Sequence, residues 1–272
     1  MANSLEFIAG KGIKITTNDA DKSLTISSNV SQESINTLNS EYIKELHKSP
    51  EGFPKIFTES SNFVIPKTGT YRVSMVGGGG SGGVNHEDKS EGNNGGTSMV
   101  TIKEGTYCAP GGLRGMKDKA AVPNIPYKEN VRGYVRGGDP SAKGNDGIGA
   151  GGVAGHHSGG GAGSPLKYGT DLELAGNGIR YEIVGAKGGK GYGAGGGGCG
   201  SNANENNSGG GSSGCLYVGE HFIVENDVVK IIIGSGGQSV TIGKGLTPET
   251  AAGCVSGAGA PGALLLEWVK FI

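Results

Sequence analysis

Apolar and polar residues alternate with a two-residue period near the start of the chain. Leu5/Phe7, Ile13/Ile15 and Leu24/Ile26 supply the apolar positions, and the turn cluster "TNDADK" separates short predicted strands. Three strands of this size cannot bury a core alone, so the module needs a partner, most simply another copy of itself. The period then changes. In "SQESINTLNSEYIKELHKS", Ile35, Leu38, Tyr42 and Leu46 fall near one helical face behind Ser31 as N-cap. A helix this short is marginal in isolation, and an intersubunit bundle is the expected way to cover its stripe. Two prolines and a glycine in "SPEGFPK" place a domain boundary near residue 52.

Alternation returns in "KIFTESSNFVIPKTGTYRVSMV", which predicts a hairpin turning at "PKTG", with Phe63, Ile65, Tyr71, Val73 and Met75 as core candidates. "TSMVTIK" predicts another strand, "EHFIVENDVVKIIIGSGGQ" two more, and "GALLLEWVKFI" a last one. Together these predict a small all-β sandwich. The expected organisation is an N-terminal β module over 1–30, a helix and linker over 31–52, and a sandwich over 53–272 with a glycine-rich insertion at about 77–214.

Composition makes that insertion the central problem. Of 57 glycines among 272 residues, 52 lie from Gly77 to Gly259. Glycine loses more backbone entropy on ordering than any other residue, so disorder is the simplest reading. The rest of the composition opposes it: Pro is only 10, the charged fraction is 18%, and net charge is -1. Polyproline II helices offer an ordered alternative. They have three residues per turn and no internal hydrogen bonds, so neighbouring glycine rods can approach closely and bond through N–H···O and Cα–H···O contacts. Side chains larger than alanine are then expected only on outward faces. "GIGAGGVAGHHSGGGAG", "GAKGGKGYGAGGGGCG" and "GSGGQ" fit such rods. No strict G-X-Y repeat persists, which rejects collagen.

Longer segments rich in side chains separate the tracts and are expected to turn the chain at the rod ends: 85–94, 113–136, 164–182 and 201–208. Seven of nine tyrosines lie in the glycine region, whereas only Phe222 among six phenylalanines does. Tyrosine suits a wetted contact surface, and loops on a rigid scaffold are where binding usually resides. Tyr127, Arg132, Tyr134, Arg136, Lys167, Tyr168 and Tyr181 are therefore the expected contact residues. Tyr192 and Tyr217 are read instead as caps on the glycine stack.

"FVIPKTGTYRVSMVGGGGSGG", "VVKIIIGSGGQ" and "GAPGALLLEWVKFI" resemble the glycine-rich domain of bacteriophage and tailocin tail-fibre proteins. In that family a strand leads into poly-glycine, a strand ending in V/I-G-x-G-G follows, and a last strand carries a Glu-Trp pair. Here these are Met75 to Gly83, Ile233 to Gly237, and Glu267-Trp268. The N-terminal "LEFIAGKGIKIT" is similar to strand modules of trimeric fibre shafts. The resemblance implies a host-receptor-binding, homotrimeric fibre tip on the virion, joined to an upstream fibre or baseplate protein, with a glycan or surface protein as receptor. The segments 113–136 and 164–182 match no family pattern, so no family binding residue carries over to them.

Other chemistries find little support. Near-zero net charge argues against nucleic acid. No stretch reaches the ~20 apolar residues of a membrane span, and "MANSLEFIAGKG" lacks the features of a signal peptide, so synthesis in a bacterial cytoplasm is expected. Cys108, Cys199, Cys215 and Cys254 show no zinc spacing, and a Cys199–Cys215 bridge stays open. G-x-G-x-x-G occurs at Gly191, Gly193, Gly196 and at Gly193, Gly195, Gly198, but no amphipathic helix follows. His156-His157 has no nearby carboxylate or cysteine in sequence. Asp171/Glu173 and Glu87/Asp88 are carboxylate pairs of the kind glycoside hydrolysis needs, but both sit in polar loops. The expectation is a non-enzymatic adhesin with no cofactor, no metal and no catalytic residue. The alternative is a glycine-rich structural or ice-binding protein.

Overall fold

The computed structural model describes residues 13–18, 23–28, 40–41, 43–85, 91–116, 131–132, 158–180, 183–184, 186–200, 208–242 and 254–270. The chain divides into two units, 1–48 and 49–270. Unit 1 contains a hairpin of β1 (Ile13–Asn18) and β2 (Ser23–Ser28), paired from Ile13↔Ser28 to Asn18↔Ser23. Residues 43–47 are helical, with Leu46 half-buried and Ile43 exposed. The expected strand at Leu5/Phe7 and the N-cap at Ser31 lie outside the described residues.

Unit 2 holds, in chain order, β3 (Lys55–Phe57), β4 (Ser61–Val64), β5 (Gly69–Val76), β6 (Val84–Asn85), β7 (Ser98–Ile102), β8 (Gly105–Ala109) and β9 (Val131–Arg132). It continues with β10 (Ile179–Arg180), β11 (Ile183–Val184), β12 (Cys199–Gly200), β13 (Leu216–Ile223), β14 (Val228–Ile232), β15 (Thr241–Ile242), β16 (Cys254–Val255) and β17 (Ala263–Lys270). The fold is mainly β. A five-stranded sheet, β3-β17-β5-β13-β9, packs on a four-stranded sheet, β4-β14-β7-β8. Period-two alternation turns Tyr71, Val73, Met75, Leu264 and Leu266 inward from one sheet, against Val100, Ile102, Val229 and Ile231 of the other.

The expected hairpin through "PKTG" does not form. β4 pairs with β14, whereas β5 pairs with β17 and β13, so residues 65–68 cross from one sheet to the other. The crossing is fixed by long-range bonds rather than by turn chemistry. Ile65 is fully buried, its N–H donates to Asp227 O, and its carbonyl accepts from Asn226 N–H. The Tyr71 hydroxyl, from the core, donates to Lys67 O at 2.6 Å.

Beyond the sandwich the described residues of the glycine region are ordered as ten extended rods, numbered here in chain order: 77–83, 91–96, 110–116, 158–164, 174–178, 186–190, 193–198, 208–215, 234–238 and 256–262. Their hydrogen bonding repeats every three residues, the polyproline II period. In rod 1, Gly77, Gly80 and Gly83 donate to rod 8, Gly78 and Ser81 to rod 2, and Gly79 and Gly82 to rod 10. Rod 1 carbonyls accept from rod 3 (Gly112, Gly115), rod 7 (Gly196) and rod 9 (Gly237). Those six neighbours are bonded to one another in a closed ring. Rod 7 is likewise enclosed, by rods 1, 8, 4, 6, 5 and 10. The bundle is thus two fused hexagons with rods 1 and 7 at their centres.

Close approach is what requires glycine at these centres. A Cβ on Gly79 would lie 1.8 Å from Ala194 O, and one on Gly196 2.0 Å from Gly257 O. The expectation that only alanine or smaller enters the interior is corrected by Ser81, which is fully buried in rod 1. Its hydroxyl accepts the Asn93 N–H at 2.7 Å and so acts as a second carbonyl. Ser212 does the same for Leu113 N–H, and Ser256 for Val240 N–H.

Bond direction shows that odd rods run away from the sandwich and even rods toward it. Rod 1 is antiparallel to rods 2, 8 and 10 and parallel to rods 3 and 7. Rods 9 and 10 extend the bundle beyond the 77–214 bracket expected for the insertion. A disulfide at the far end joins Cys199 to Cys254, next to Val84 and Val240. Cys199–Cys215 does not form, because Cys199 stands at the far end of rod 7 and buried Cys215 at the sandwich end of rod 8, about 20 Å apart at ~3.1 Å per residue.

Among the capping tyrosines, Tyr192 packs with Val76 and Leu166 at the sandwich end of the bundle. Tyr217 is instead in the sandwich core. Its hydroxyl reaches His221 Nε2 at 2.9 Å across Gly219, where a Cβ would meet that hydroxyl. Burial, with Tyr107 alongside, pushes the Tyr217 phenol up to about 12. Burial also holds the His221 imidazole below its usual value, partly offset by Glu104, whose carboxylate lies 3.9 Å from Nδ1.

Two outcomes follow from this packing. Gly79→Ala is expected to cost ~3 kcal/mol or more in chemical denaturation, because backbone must move. Ala258→Gly on the bundle perimeter is expected to cost less than ~1 kcal/mol. For His221, the unfolded chain takes up the proton first on acidification. Stability is therefore full above pH ~6.5 and falls as pH drops from there toward the lower folded pKa. Thermal melts of His221→Gln should show a shallower acid decline than wild type.

Candidate functional site

Alternation that buries one face of the five-stranded sheet presents the other outward. Three rows cross β17, β5 and β13 on that face. Ala263–Val76–Leu216 lies nearest the bundle, Leu265–Ser74–Val218 next, and Glu267–Arg72–Glu220 beyond. The first row is covered by the connection between rods 4 and 5. Leu166, 2% exposed, seats on Val76, Leu216 and Ala263, and Tyr192 packs beside them. The connection is shaped by Leu166 N–H donating to Ser164 Oγ, by Gly169 at φ 64°, and by Gly191 N–H donating to Leu172 O.

Between this connection and the charged row lies a groove of about 700 Å³. Leu265, Ser74 and Val218 form its floor; Pro165 and Lys167 form one wall, and Glu267, Arg72 and Glu220 the other. Arg72 donates from Nε (3.2 Å) and Nη2 (2.8 Å) to one oxygen of Glu220. Both side chains are about half exposed, so this pair contributes at most ~1 kcal/mol to stability. No hydrogen bond or ion pair engages the side chains of Lys167, Ser74 or Glu267 among the described residues.

Of the expected contact residues, Lys167 lines the groove and Tyr168 follows it, 41% exposed. Arg132 is placed by its backbone alone: β9 pairs with the start of β13 as Leu216↔Arg132, beside the groove and at the sandwich end of the bundle. Tyr127, Tyr134, Arg136 and Tyr181 lie outside the described residues, as do His156-His157 and Glu87/Asp88. Arg72, Ser74, Glu220 and Glu267 were not among the sequence-based candidates. Their signal is the polar half of the alternation in "GTYRVSMV", "LYVGEHFI" and "ALLLEWVK".

The glycine fingerprints are structural. Gly195 N–H donates to Ala162 O, Gly196 N–H to Gly80 O, Gly197 N–H to Gly176 O and Gly198 N–H to Gly159 O. These four amides are spent on neighbouring rods rather than left to cradle a phosphate. Glu173 pairs with Lys190 at 3.5 Å, both substantially exposed, and no cluster suited to a metal occurs among the described residues. No described helix is long and apolar enough to cross a membrane.

The chain matches no known family model, curated protein or solved structure. Its own geometry therefore carries the functional argument.

Rods 4 to 7 do not continue sandwich strands, and Leu166 is their buried apolar contact with the sheet, with Tyr192 beside it. Leu166→Ala is expected to cost ~2–4 kcal/mol. Hydrogen exchange should then rise in rods 4 and 6 more than in rods 1 and 2.

Proposed function

We propose that this chain is the non-enzymatic receptor-binding head of a bacteriophage or phage-tail-like-particle tail fibre. The observation that carries the reading is the alternation of rod direction. It brings the far ends of rods 1, 3, 5, 7 and 9 together at the end of the bundle away from the sandwich. A dense scaffold that gathers five rod ends away from the sandwich suits presentation of a variable contact surface. Tyr181 follows rod 5 in sequence, whereas Tyr127, Tyr134 and Arg136 belong by sequence to the segment 117–157, within which β9 pairs with β13 at the sandwich end.

The N-terminal hairpin supports the same reading. Among the described residues β1 and β2 form a two-stranded sheet, which is marginal in water by itself and suits pairing with other chains. Three copies joined there would multiply a weak contact through effective concentration, and an upstream fibre or baseplate protein would hold the trimer on the virion. The partner of the bundle is a bacterial surface receptor.

A fluorescent fusion of the whole chain is expected to label a receptor-bearing bacterial strain and to spare derivatives that have lost surface structures. Replacing 201–207 by a short Gly/Ser linker should reduce labelling at least tenfold without changing the melting temperature by more than a few degrees. Incubation with host envelopes should release no reducing sugar. Absence of labelling across receptor-typed strains, or sugar release lost on Glu173→Gln, would overturn the reading.

A further inference from the structure

We propose that the groove between the 165–173 connection and the five-stranded sheet binds a neutral saccharide. This deepens the receptor-binding reading and rests on it only for the source of the sugar, a bacterial surface polysaccharide.

Charge selects the ligand class first. Arg72 and Lys167 contribute two cations to the walls, and Glu220 and Glu267 two carboxylates. An anionic or cationic ligand would meet as much repulsion as attraction, whereas a neutral one is not penalised.

Hydrogen-bonding capacity narrows the class further. Glu267, Arg72 and Glu220 are direct cross-strand neighbours, so the far wall presents acceptor, donor and acceptor about 4.8 Å apart. Arg72 Nη1 and one Glu220 oxygen stay free of their mutual pair. The Ser74 hydroxyl, the Glu267 carboxylate and the Lys167 ammonium are unengaged among the described residues. Sugar hydroxyls each donate and accept, and so match an array of both kinds. Leu265 and Val218 flank Ser74 in the floor and offer apolar surface to the C–H face of a pyranose ring.

A peptide fits less well. The groove runs across β17, β5 and β13, and the main chain of β5 is already laddered on both sides. A peptide backbone would therefore find no strand edge to pair with. The volume of about 700 Å³ lies within the ~300–1,000 Å³ of small-molecule sites.

The intact chain should be probed on an array of bacterial surface polysaccharides and neutral oligosaccharides, with hits measured by saturation-transfer NMR. At least one neutral saccharide is expected to bind. Glu267→Gln and Lys167→Ala should each weaken it about five- to tenfold, with melting temperatures unchanged. Lys230→Ala, on the outer face of the other sheet, should leave binding unaltered. No saccharide binding, a preference for charged sugars, or binding indifferent to both groove variants would overturn the proposal. Cell labelling separates the two claims. Groove variants that label cells as wild type does, while no saccharide binds, would remove the groove and leave the receptor reading intact. A wild-type chain that binds saccharide through the groove but labels no cells would do the reverse.

Discussion

Where a central glycine of this protein would carry its Cβ, a neighbouring rod has placed a carbonyl oxygen. The rest of the bundle depends on that exchange. Ordering a residue costs ~1–2 kcal/mol, whereas one N–H···O bond returns about 1 kcal/mol net, so a single rod cannot hold itself straight. Enclosure changes the balance. Rods 1 and 7 each bond to six neighbours, and the same close approach adds Cα–H···O contacts and dense packing. Stability in such a lattice belongs to the set of rods and not to any one of them. The buried serines show that the constraint is chemical as well as steric. Ser81 is admitted because its oxygen can stand in for a backbone carbonyl.

The sandwich is the mould for half of this lattice. β5 leads into rod 1, rod 2 into β7, β8 into rod 3, rod 8 into β13, β14 into rod 9, and rod 10 into β17. Five neighbours of rod 1 are thus delivered in register by strands that already have a hydrophobic core. Rods 4 to 7 lack that anchorage. They are held by rods 1, 8 and 10, by Leu166 at the sandwich end, and by the Cys199–Cys254 link at the other. The groove lies where this second hexagon meets the sheet, so its near wall belongs to the less directly anchored half.

Much of this was legible in the sequence, because glycine content and strand alternation are local signals. Phe63, Ile65, Tyr71, Val73 and Met75 do line the sandwich core. What local signals do not carry is partner choice. "PKTG" has the residues of a tight turn, yet Ile65 is captured by Asp227 and Asn226, far along the chain, and the segment crosses between sheets. The cysteine pairing depended on rod direction, which no spacing encodes. Arg132 was expected on a turn at a rod end and instead pairs with Leu216 at the sandwich junction. The groove was half visible. Lys167 stood out as a loop cation, whereas Arg72 lies 148 positions from Glu220, and Glu267 joins them only through the sheet register.

The three-residue bonding period gives each rod a frame. Removing one residue from rod 1 would rotate everything after it by a third of a turn, so that each amide faced the wrong neighbour. Removing three would shorten the rod and leave its later bonds aimed as before. Length changes in this protein are therefore quantised inside the rods and unrestricted in the connections between them. A lineage built on this lattice can rewrite its far-end connections at will while its rods admit insertions and deletions only in threes.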